Sequence, residues 1–289
     1  MFASVEAFYR PATVREAVQL LQNGKGSARI IAGCTDLALE RDRSIRFLID
    51  ITHAGLNYIR RRGGQWAIGS TTTMAELEAD GEIRGLAGGI LSRAAATCGS
   101  AQIRNMATVG GNMVNGSSAA DLAPPLLALD AAAVLASGTG RRKMPLAEFL
   151  SGARSRMLAN SVLVEVVFPE PPRAARCGWS FQKFGRTAVD ISVVNVAAGL
   201  QLDAHRRVKW ARVALGAVAP APLRVPAVEA RMAGRPFNAV LLEEVSELVG
   251  AAVNPIDDVR ASADYRRHLA QVLTRRALEE CAGPTGCTL

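Results

Sequence analysis

Residues 100–130 restrict the possible fold more than any other stretch, because they join a glycine pair to a proline pair within one short segment. Gly110 and Gly111 carry no Cβ and permit positive φ, so the run TVGGN at 108–112 predicts a tight turn. Backbone N–H groups in such a turn form a concave array of donors that suits phosphate oxygens. The following Pro124-Pro125 pair predicts the first turn of a helix. A glycine-rich surface turn followed by a core helix is the alternative interpretation.

Composition indicates a well-packed protein that binds something anionic. The 289 residues suit one large domain or two modest ones, and 49% hydrophobic residues predict a buried core. The formal charge of +8 favours anionic ligands or an acidic partner surface. The basic runs at 60–62 and 141–143 are short and lack interleaved aromatic residues. They predict solvated faces or loop ends, and no nucleic-acid partner is expected.

Several classes of site are excluded by their missing motifs. The five cysteines form no C-x-x-C pair, so neither a structural metal nor an iron–sulfur cluster is expected on this chain. Their wide spacing suits reduced thiols in the cytoplasm, and no signal peptide or membrane span is predicted. The sequence contains no G-x-G-x-x-G, P-loop or G-x-S-x-G motif, and its three histidines are isolated. We therefore expect no catalytic side chain on this chain and a bound anionic cofactor that performs the chemistry.

The first part of the chain alternates helices and strands. Thr13 with Glu16, and Thr73 with Glu76, form capping boxes that predict two helix starts. Apolar runs predict strands at 28–32, 47–51, 66–69, 132–136 and 162–168, and the polar run 138–143 predicts a hairpin or loop. The turn 33–36 follows a strand and precedes a possible helix start. It could present backbone amides to a phosphate, or it could be an ordinary strand-to-helix connection.

The second part of the chain has a different order of predicted strands and helices. Residues 170–173 are the best candidate for a linker. Beyond them, strands at 179–183, 191–202 and 208–215 predict an antiparallel meander, and helices are predicted at 225–232, 238–253 and 264–281. The last helix is amphipathic, with arginines including Arg266 largely on its polar face. The prediction is an α+β fold with one domain at 1–172, divided into subdomains at about 1–55 and 56–172, and a second at 177–289.

Long motifs in a fixed order then identify a family. They include IIAGCTDLAL near residue 31, IGSTTTMAEL at 68–77, QIRNMATVGGNMVNGSSAADLAPPLLALDA from residue 102, KFGRTAVDISVVNVA at 183–197 and DDVRASADYRRHLAQVLTRRAL at 257–278. The chain resembles the FAD-binding medium subunits of the molybdenum hydroxylases, the group of xanthine dehydrogenase and carbon monoxide dehydrogenase. It looks most like the bacterial xanthine dehydrogenase FAD subunits. The resemblance implies an FAD-binding domain of the vanillyl-alcohol-oxidase or PCMH type, followed by a C-terminal domain with a three-stranded antiparallel sheet and helices.

The resemblance also implies which residues bind FAD. The first flavin motif corresponds to Ile31, Ala32, Gly33, Cys34, Thr35, Asp36 and Leu37. The second corresponds to Thr108, Gly110, Gly111, Asn112 and Asn115. The family's cofactor-binding aspartate corresponds to Asp121, which would contact a hydroxyl-bearing part of FAD. A strand residue that packs near the cofactor corresponds to Leu163 or Val164, and a basic residue after the linker corresponds to Lys183. Cys34 stands where the family usually has glycine, and we interpret it as a small filler rather than a redox thiol.

The function implied is electron transfer within a divided enzyme. A large partner would hold the molybdopterin cofactor and a small partner two 2Fe-2S clusters, and electrons would pass through FAD to NAD or another acceptor. A self-sufficient FAD oxidase or reductase is the first alternative, and a non-catalytic module that binds nucleotides or nucleic acid is the second. The substrate belongs to the molybdenum partner, and the overall resemblance favours purines.

Overall fold

The computed structural model describes residues 4–40, 42–151, 154–173 and 176–283. Its strands are β1 (Ala7–Tyr9), β2 (Ala28–Ile31), β3 (Phe47–Asp50), β4 (Ile59–Arg62), β5 (Gln65–Gly69), β6 (Ala132–Ser137), β7 (Gly140–Pro145), β8 (Ser161–Pro169), β9 (Cys177–Phe184), β10 (Val194–Leu202), β11 (Val208–Gly216) and β12 (Leu223–Arg224). Its α-helices are α1 (Val14–Asn23), α2 (Leu37–Glu40), α3 (Met74–Ala79), α4 (Gly81–Arg84), α5 (Ile90–Ala96), α6 (Ala101–Met106), α7 (Val109–Asn115), α8 (Ala123–Ala128), α9 (Leu146–Leu150), α10 (Arg154–Leu158), α11 (Pro226–Met232), α12 (Ala239–Ala252) and α13 (Ala263–Ala282).

The chain forms two compact units that are not consecutive in sequence. Unit 1 consists of Met1–Leu77, Ser100–Gly116 and Asp130–Glu170. Unit 2 consists of Glu78–Gly99, Ser117–Leu129 and Pro171–Leu289. Two short stretches of the first predicted domain therefore belong to the second compact unit.

Unit 1 contains two sheets. One is parallel, with strand order β1-β3-β2, and the other is antiparallel, with order β4-β5-β8-β6-β7. Helix α1 buries Ala17, Val18 and Leu21 in one core with strand residues such as Ile49 and Val164. The predicted capping box is confirmed at the start of this helix, where Glu16 N–H donates to Thr13 Oγ1 at 3.2 Å. Burial of the apolar stripe, rather than helix propensity alone, fixes α1 in place.

Unit 2 is an antiparallel sheet covered by helices. The sheet has the order β12-β11-β10-β9, and its buried residues form one core with apolar residues of α12 and α13. The predicted meander is confirmed, but the sheet has four strands rather than three because Leu223 and Arg224 pair with β11. None of the helices in the described ranges combines the length and the apolar character needed to cross a bilayer.

One expectation about basic residues is confirmed and one is wrong. Residues 60–62 and 141–143 form solvent-exposed faces, as predicted, and they lie in β4 and β7 at the two edges of the five-stranded sheet. Arg266 does not lie on the polar face of α13, since its side chain is only 3% exposed. Its guanidinium donates to the Val193 carbonyl at 2.7 Å and pairs with Asp258 at 2.7 Å. The carboxylate of Asp258 offsets part of the cost of burying this cation.

Candidate functional site

The loop between β2 and α2 in unit 1 holds the first group of predicted site residues. Cys34 has a φ of +57°, the left-handed conformation that non-glycine residues rarely adopt. Gly33 packs directly on the end of α6, because a Cβ at this position would lie 1.8 Å from the carbonyl oxygen of Met106. Only glycine permits this approach. The fold thus brings the loop of the first motif against the segment that leads into the second.

This loop presents unpaired donors. Within the described parts of the chain, the backbone N–H groups of residues 33–36 donate no hydrogen bond. Successive N–H groups around a left-handed residue face one side of the chain and form an anion-binding concavity, known as a nest. In an ordinary strand-to-helix connection these partly exposed N–H groups would donate to water, and an anion bound at the loop would take the place of that water. The geometry therefore supports anion binding at 33–36.

The glycine pair adopts a different structure from the one predicted. Residues 109–115 form the helix α7, capped by Thr108, so the expectation of a tight turn at 108–112 is wrong. Its first four N–H groups are already paired, from Val109 to the Thr72 carbonyl at 2.9 Å, from Gly110 to the Ser70 carbonyl at 2.8 Å, from Gly111 to Thr108 Oγ1 at 3.0 Å, and from Asn112 to the Thr108 carbonyl at 3.0 Å. The first two amides fasten the helix to the loop after β5, the next two are capped by Thr108, and none of the four remains free for a ligand.

The two glycines of α7 serve different purposes. A Cβ on Gly110 would lie 2.5 Å from Ser70 Cβ and 2.6 Å from the Ser70 carbonyl oxygen, so this residue permits close packing. A Cβ on Gly111 would approach only Thr108 Oγ1, at 3.0 Å, and the residue is exposed. The Gly111 face of α7 is thus a bare backbone surface that a ligand can reach. Asn115 ends the helix, and its carbonyl accepts a hydrogen bond from Arg154 at 3.1 Å.

A bulge in β8 supports the loop that holds α7. Leu135 pairs with Leu163 whereas Val134 pairs with Glu165, so Val164 is the extra residue. Its carbonyl accepts the Ser70 N–H at 2.9 Å. Bulges commonly re-aim backbone groups beside functional sites. Leu163, the predicted strand residue, is buried next to this connection.

Three side-chain oxygens in α7 and in the loop after β5 have no hydrogen-bond partner. Ser70 Oγ, Thr71 Oγ1 and Asn112 Oδ1 are buried and form no hydrogen bond within the described residues. Buried polar atoms without a partner are costly, so such atoms call for an explanation such as a missing ligand. Sequence reasoning noted the segment 68–77 but assigned no role to Ser70 or Thr71. The uninterrupted run of four hydroxyl residues at 70–73 is the signal that could have identified them.

Asp121 and Lys183, the remaining predicted site residues, meet in unit 2. Lys183 Nζ lies 2.8 Å from Asp121 Oδ2 and 2.7 Å from the Thr97 carbonyl oxygen, and each side chain of the ion pair is 8% exposed. Asp121 Oδ1 accepts the Ser192 hydroxyl at 2.6 Å and the Asn195 amide at 3.0 Å. Charge-assisted bonds of this kind compensate for the burial of both charges. The carboxylate predicted to meet a ligand hydroxyl thus already has three donors from the protein.

A cavity of about 280 Å³ adjoins this network in unit 2. Ser192 both bonds Asp121 and lines the cavity. The other lining residues are apolar side chains such as Ile191 and five further polar or charged residues, which are Ser117, Ser118, Asp258, Arg260 and Arg266. A lining that is half polar suits a small polar molecule held by hydrogen bonds.

Comparison with known proteins identifies the family of this chain. Residues 2–171 match the model of the FAD binding domain in molybdopterin dehydrogenase, and residues 179–281 match that of the CO dehydrogenase flavoprotein C-terminal domain. The chain belongs to this FAD-binding family. It is 33% identical to a xanthine dehydrogenase FAD-binding subunit of Escherichia coli O157:H7, over 97% of each chain. It is 32% identical to subunit alpha of a 6-hydroxypseudooxynicotine dehydrogenase complex of Paenarthrobacter nicotinovorans, over 92% of this chain and 90% of the relative. A solved carbon monoxide dehydrogenase from Hydrogenophaga pseudoflava matches with a TM-score of 0.89 and 30% identity, over 96% of this chain and 97% of the other.

These matches confirm the family that the sequence motifs indicated, and they confirm the α+β fold. The features of unit 1 fit a dinucleotide, because free amides at 33–36 suit a diphosphate and the unpartnered oxygens near α7 suit hydrogen-bond donors of a cofactor. Which residues touch FAD remains a prediction for every position in the two motifs and for Asp121, Leu163 and Lys183. The Thr35 hydroxyl donates a hydrogen bond to Asp36 Oδ2 at 3.2 Å, and Leu37 is the first residue of α2.

Among the described residues, the cysteines form no disulfide. These are Cys34, Cys98, Cys177 and Cys281, while Cys287 lies outside the described residues. Burial raises the pKa of the Cys34 thiol, which keeps it protonated and unreactive. No cluster of three or more potential metal ligands occurs among the described residues.

Proposed function

We propose that this chain is the FAD-binding electron-transfer subunit of a heteromeric molybdenum hydroxylase. One partner subunit would hold the molybdopterin cofactor and a smaller one the 2Fe-2S clusters. When bound, FAD exchanges electrons both singly and in pairs, which suits it to link iron–sulfur clusters with NAD or another acceptor. The observation that carries this proposal is the row of four N–H groups at 33–36 in unit 1, unpaired among the described residues, in a chain that belongs to the FAD-binding family. In unit 2 the buried Asp121 carboxylate already accepts three protein donors, which suits it to a positioning role.

The residues of unit 1 would hold the cofactor by its diphosphate. Four free N–H groups at 33–36 donate to phosphate oxygens, and the left-handed Cys34 keeps them convergent. The bare surface of Gly111 would allow close approach of the cofactor, and the unpaired amide oxygen of Asn112 would accept a hydrogen bond from a donor on another part of it. The formal charge of +8 offsets the two negative charges of the diphosphate.

The cavity of unit 2 is our candidate for the place where a small acceptor approaches. Its volume of about 280 Å³ suits a single ring system such as nicotinamide rather than a whole dinucleotide. It shares Ser192 with the Asp121 network, so a molecule in the cavity would lie beside a predicted cofactor residue. Filling the cavity with Ala119→Trp should slow NADH-dependent dye reduction by the FAD-loaded chain without lowering its flavin content.

The proposal is tested by asking what the chain does alone and what accompanies it. We expect the purified chain to be yellow, to reduce a dye with NADH, and to leave xanthine and other hydroxylase substrates unchanged. A tagged copy isolated from its own host should carry two further subunits, with molybdenum by metal analysis and 2Fe-2S signals by electron paramagnetic resonance.

Each rival function gives a different result in these assays. Steady-state turnover of an organic substrate by the isolated chain would establish the self-sufficient oxidase or reductase. A colourless chain that takes up no FAD and shifts RNA on a gel would establish the nucleotide- or nucleic-acid-binding module. The sparse aromatic residues, 5% of the sequence, argue against the latter because few side chains could stack on bases.

A further inference from the structure

The two basic runs of the sequence meet on one face of the five-stranded sheet. Residues 60–62 lie in β4 and residues 141–143 in β7, the edge strands of unit 1. Arg60, Arg62 and Arg141 nevertheless line one groove of about 380 Å³. We call it the basic groove. The fold thus gathers cations that stand far apart in the sequence.

The floor of the basic groove is apolar. Arg60 pairs with Ala67, and Ala67 pairs with Val167 on the next strand. Directly opposed residues of antiparallel strands point to the same face, so these three side chains share one surface. Ala67 and Val167 also form a small apolar cluster with Ala132 and Val134. A ligand in the groove would therefore contact both apolar surface and positive charge.

The arginines on the two faces of these edge strands differ in whether they form ion pairs. Arg61 and Arg142 alternate with the groove residues and pair with Glu170 at 2.9 Å and Glu148 at 3.5 Å. Arg60, Arg62 and Arg141 make no ion pair with any residue in the described ranges. Cations on edge strands discourage edge-to-edge aggregation, but that role predicts no difference between the two faces. The unpaired face is instead available to an anionic partner.

The acidic residue in the lining does not neutralise this face. Glu165 accepts the Tyr58 hydroxyl at 2.7 Å, and burial together with this bond raises the pKa of Tyr58. The Arg60 guanidinium lies over the Tyr58 ring, 4.1 Å from its centre, which orders the arginine by a cation–π contact. The lining therefore carries three guanidinium groups and one carboxylate, which is already hydrogen-bonded, so the net charge of the groove is positive.

We propose that the basic groove docks an acidic, partly apolar segment of a partner subunit. This inference rests on the proposed function, which supplies the heteromeric complex. Charge complementarity selects the acidic partner, and the apolar floor favours a polypeptide with alternating acidic and apolar side chains. A nucleic acid suits the groove less well, because Tyr58 is covered by Arg60 and Trp66 is buried, which leaves no ring free to stack on bases.

The test compares matched charge reversals on the two faces of the same strands. Arg60→Glu with Arg141→Glu changes the groove, and Arg61→Glu with Arg142→Glu makes the same change in net charge on the opposite face. The FAD-loaded chain is titrated against a short labelled peptide of alternating Glu and Leu, with fluorescence anisotropy as the readout. We expect salt-sensitive binding that weakens by about tenfold or more in the groove variant and by less than about twofold in the control.

Several outcomes would overturn the inference. They are equal binding by both variants, no peptide binding by the native chain, and oligothymidylate of equal charge binding as tightly as the peptide. Copurification from the host separates the two proposals. If the partner subunits accompany both variants equally, the groove is not the docking site and the proposed function stands. If the peptide result is as expected but no subunit copurifies with the native chain, the groove is supported and the heteromeric function is refuted.

Discussion

The neighbouring glycines of α7 should respond to substitution in opposite ways. Gly110 lies against the backbone of Ser70, which is itself held by the Val164 carbonyl. Gly111 faces outward, with only Thr108 Oγ1 near its missing side chain. One position therefore tests how the site is built, and the other tests what it binds.

Gly110→Ala should destabilise unit 1. The new Cβ would lie 2.5 Å from Ser70 Cβ, so α7 or the Ser70 loop must move by about 1 Å to reach van der Waals distance. That movement strains the hydrogen bonds from Gly110 to Ser70 and from Ser70 to Val164. With about 1 kcal/mol for each weakened bond and about 1–3 kcal/mol for overpacking, the free energy of unfolding should fall by about 2–4 kcal/mol.

Gly111→Val should leave the fold intact and remove the cofactor. Valine in a helix is at least as favourable as glycine, so the free energy of unfolding of the FAD-free protein should change by less than about 0.5 kcal/mol. Its methyl groups would occupy the surface that we assign to the cofactor. FAD affinity should fall by about a hundredfold or more, which corresponds to about 2.7 kcal/mol.

Urea unfolding of the FAD-free protein, followed by far-ultraviolet circular dichroism, measures the first effect. Titration with FAD, followed by flavin absorbance and fluorescence quenching, measures the second. Full flavin occupancy in Gly111→Val would refute our assignment of this surface. Unchanged stability in Gly110→Ala would refute the packing argument.

Three further substitutions test separate parts of the account. Cys34→Gly should raise the free energy of unfolding by about 0.5–1 kcal/mol and retain FAD, because it relieves a positive φ at a modest entropic cost; a loss of stability in urea unfolding would count against strain at this residue. Lys183→Met should cost about 3–5 kcal/mol by leaving Asp121 buried without its cation, and adding Asp121→Leu should recover most of it in thermal unfolding. Arg235 lowers the pKa of Glu244 from 4.5 to about 2, so this carboxylate stabilises the fold above pH 4.5 and its contribution disappears as the pH falls to 2. The native protein should accordingly be more stable than Glu244→Gln at neutral pH and equal to it near pH 2, and a constant difference across that range would contradict the linkage.

Local sequence signals predicted most of the regular structure. The capping boxes at Thr13 and Thr73 are confirmed, with Glu76 N–H donating to Thr73 Oγ1 at 3.1 Å, because both partners of such a motif lie within one turn of helix. The valine-rich strand predicted at 162–168 is confirmed as β8, since burial on both faces gives apolar residues at every position of that run except Glu165.

Elements that depend on distant partners were missed. Strand β1 exists because it pairs with β3, whose residues lie about forty positions later. Strand β4 was missed for another reason: its partner β5 begins only three residues later, but a run of arginines gives no apolar signal for a strand. The helix at 109–115 forms where a turn was expected, because the Ser70 and Thr72 carbonyls accept its first N–H groups. No window of sequence around the glycine pair contains those acceptors.

The candidate site, like the fold, was only partly predictable from local sequence. Motif resemblance selected Cys34 and Asp121, but the positive φ at Cys34 and the three donors around Asp121 depend on tertiary structure. Ser70 was overlooked because its role follows from packing against Gly110 rather than from any local pattern. The sequence thus selected candidate residues for the site, whereas the hydrogen bonds that shape it follow from tertiary structure.

The central claim is that the backbone amides at 33–36 hold the diphosphate of FAD. A crystal structure of the FAD-loaded protein tests it most directly. Our account predicts phosphate oxygens within hydrogen-bonding distance of at least two of these four N–H groups, with the bare surface of Gly111 covered by the cofactor. A diphosphate bound elsewhere, with the amides at 33–36 facing only solvent, would contradict it.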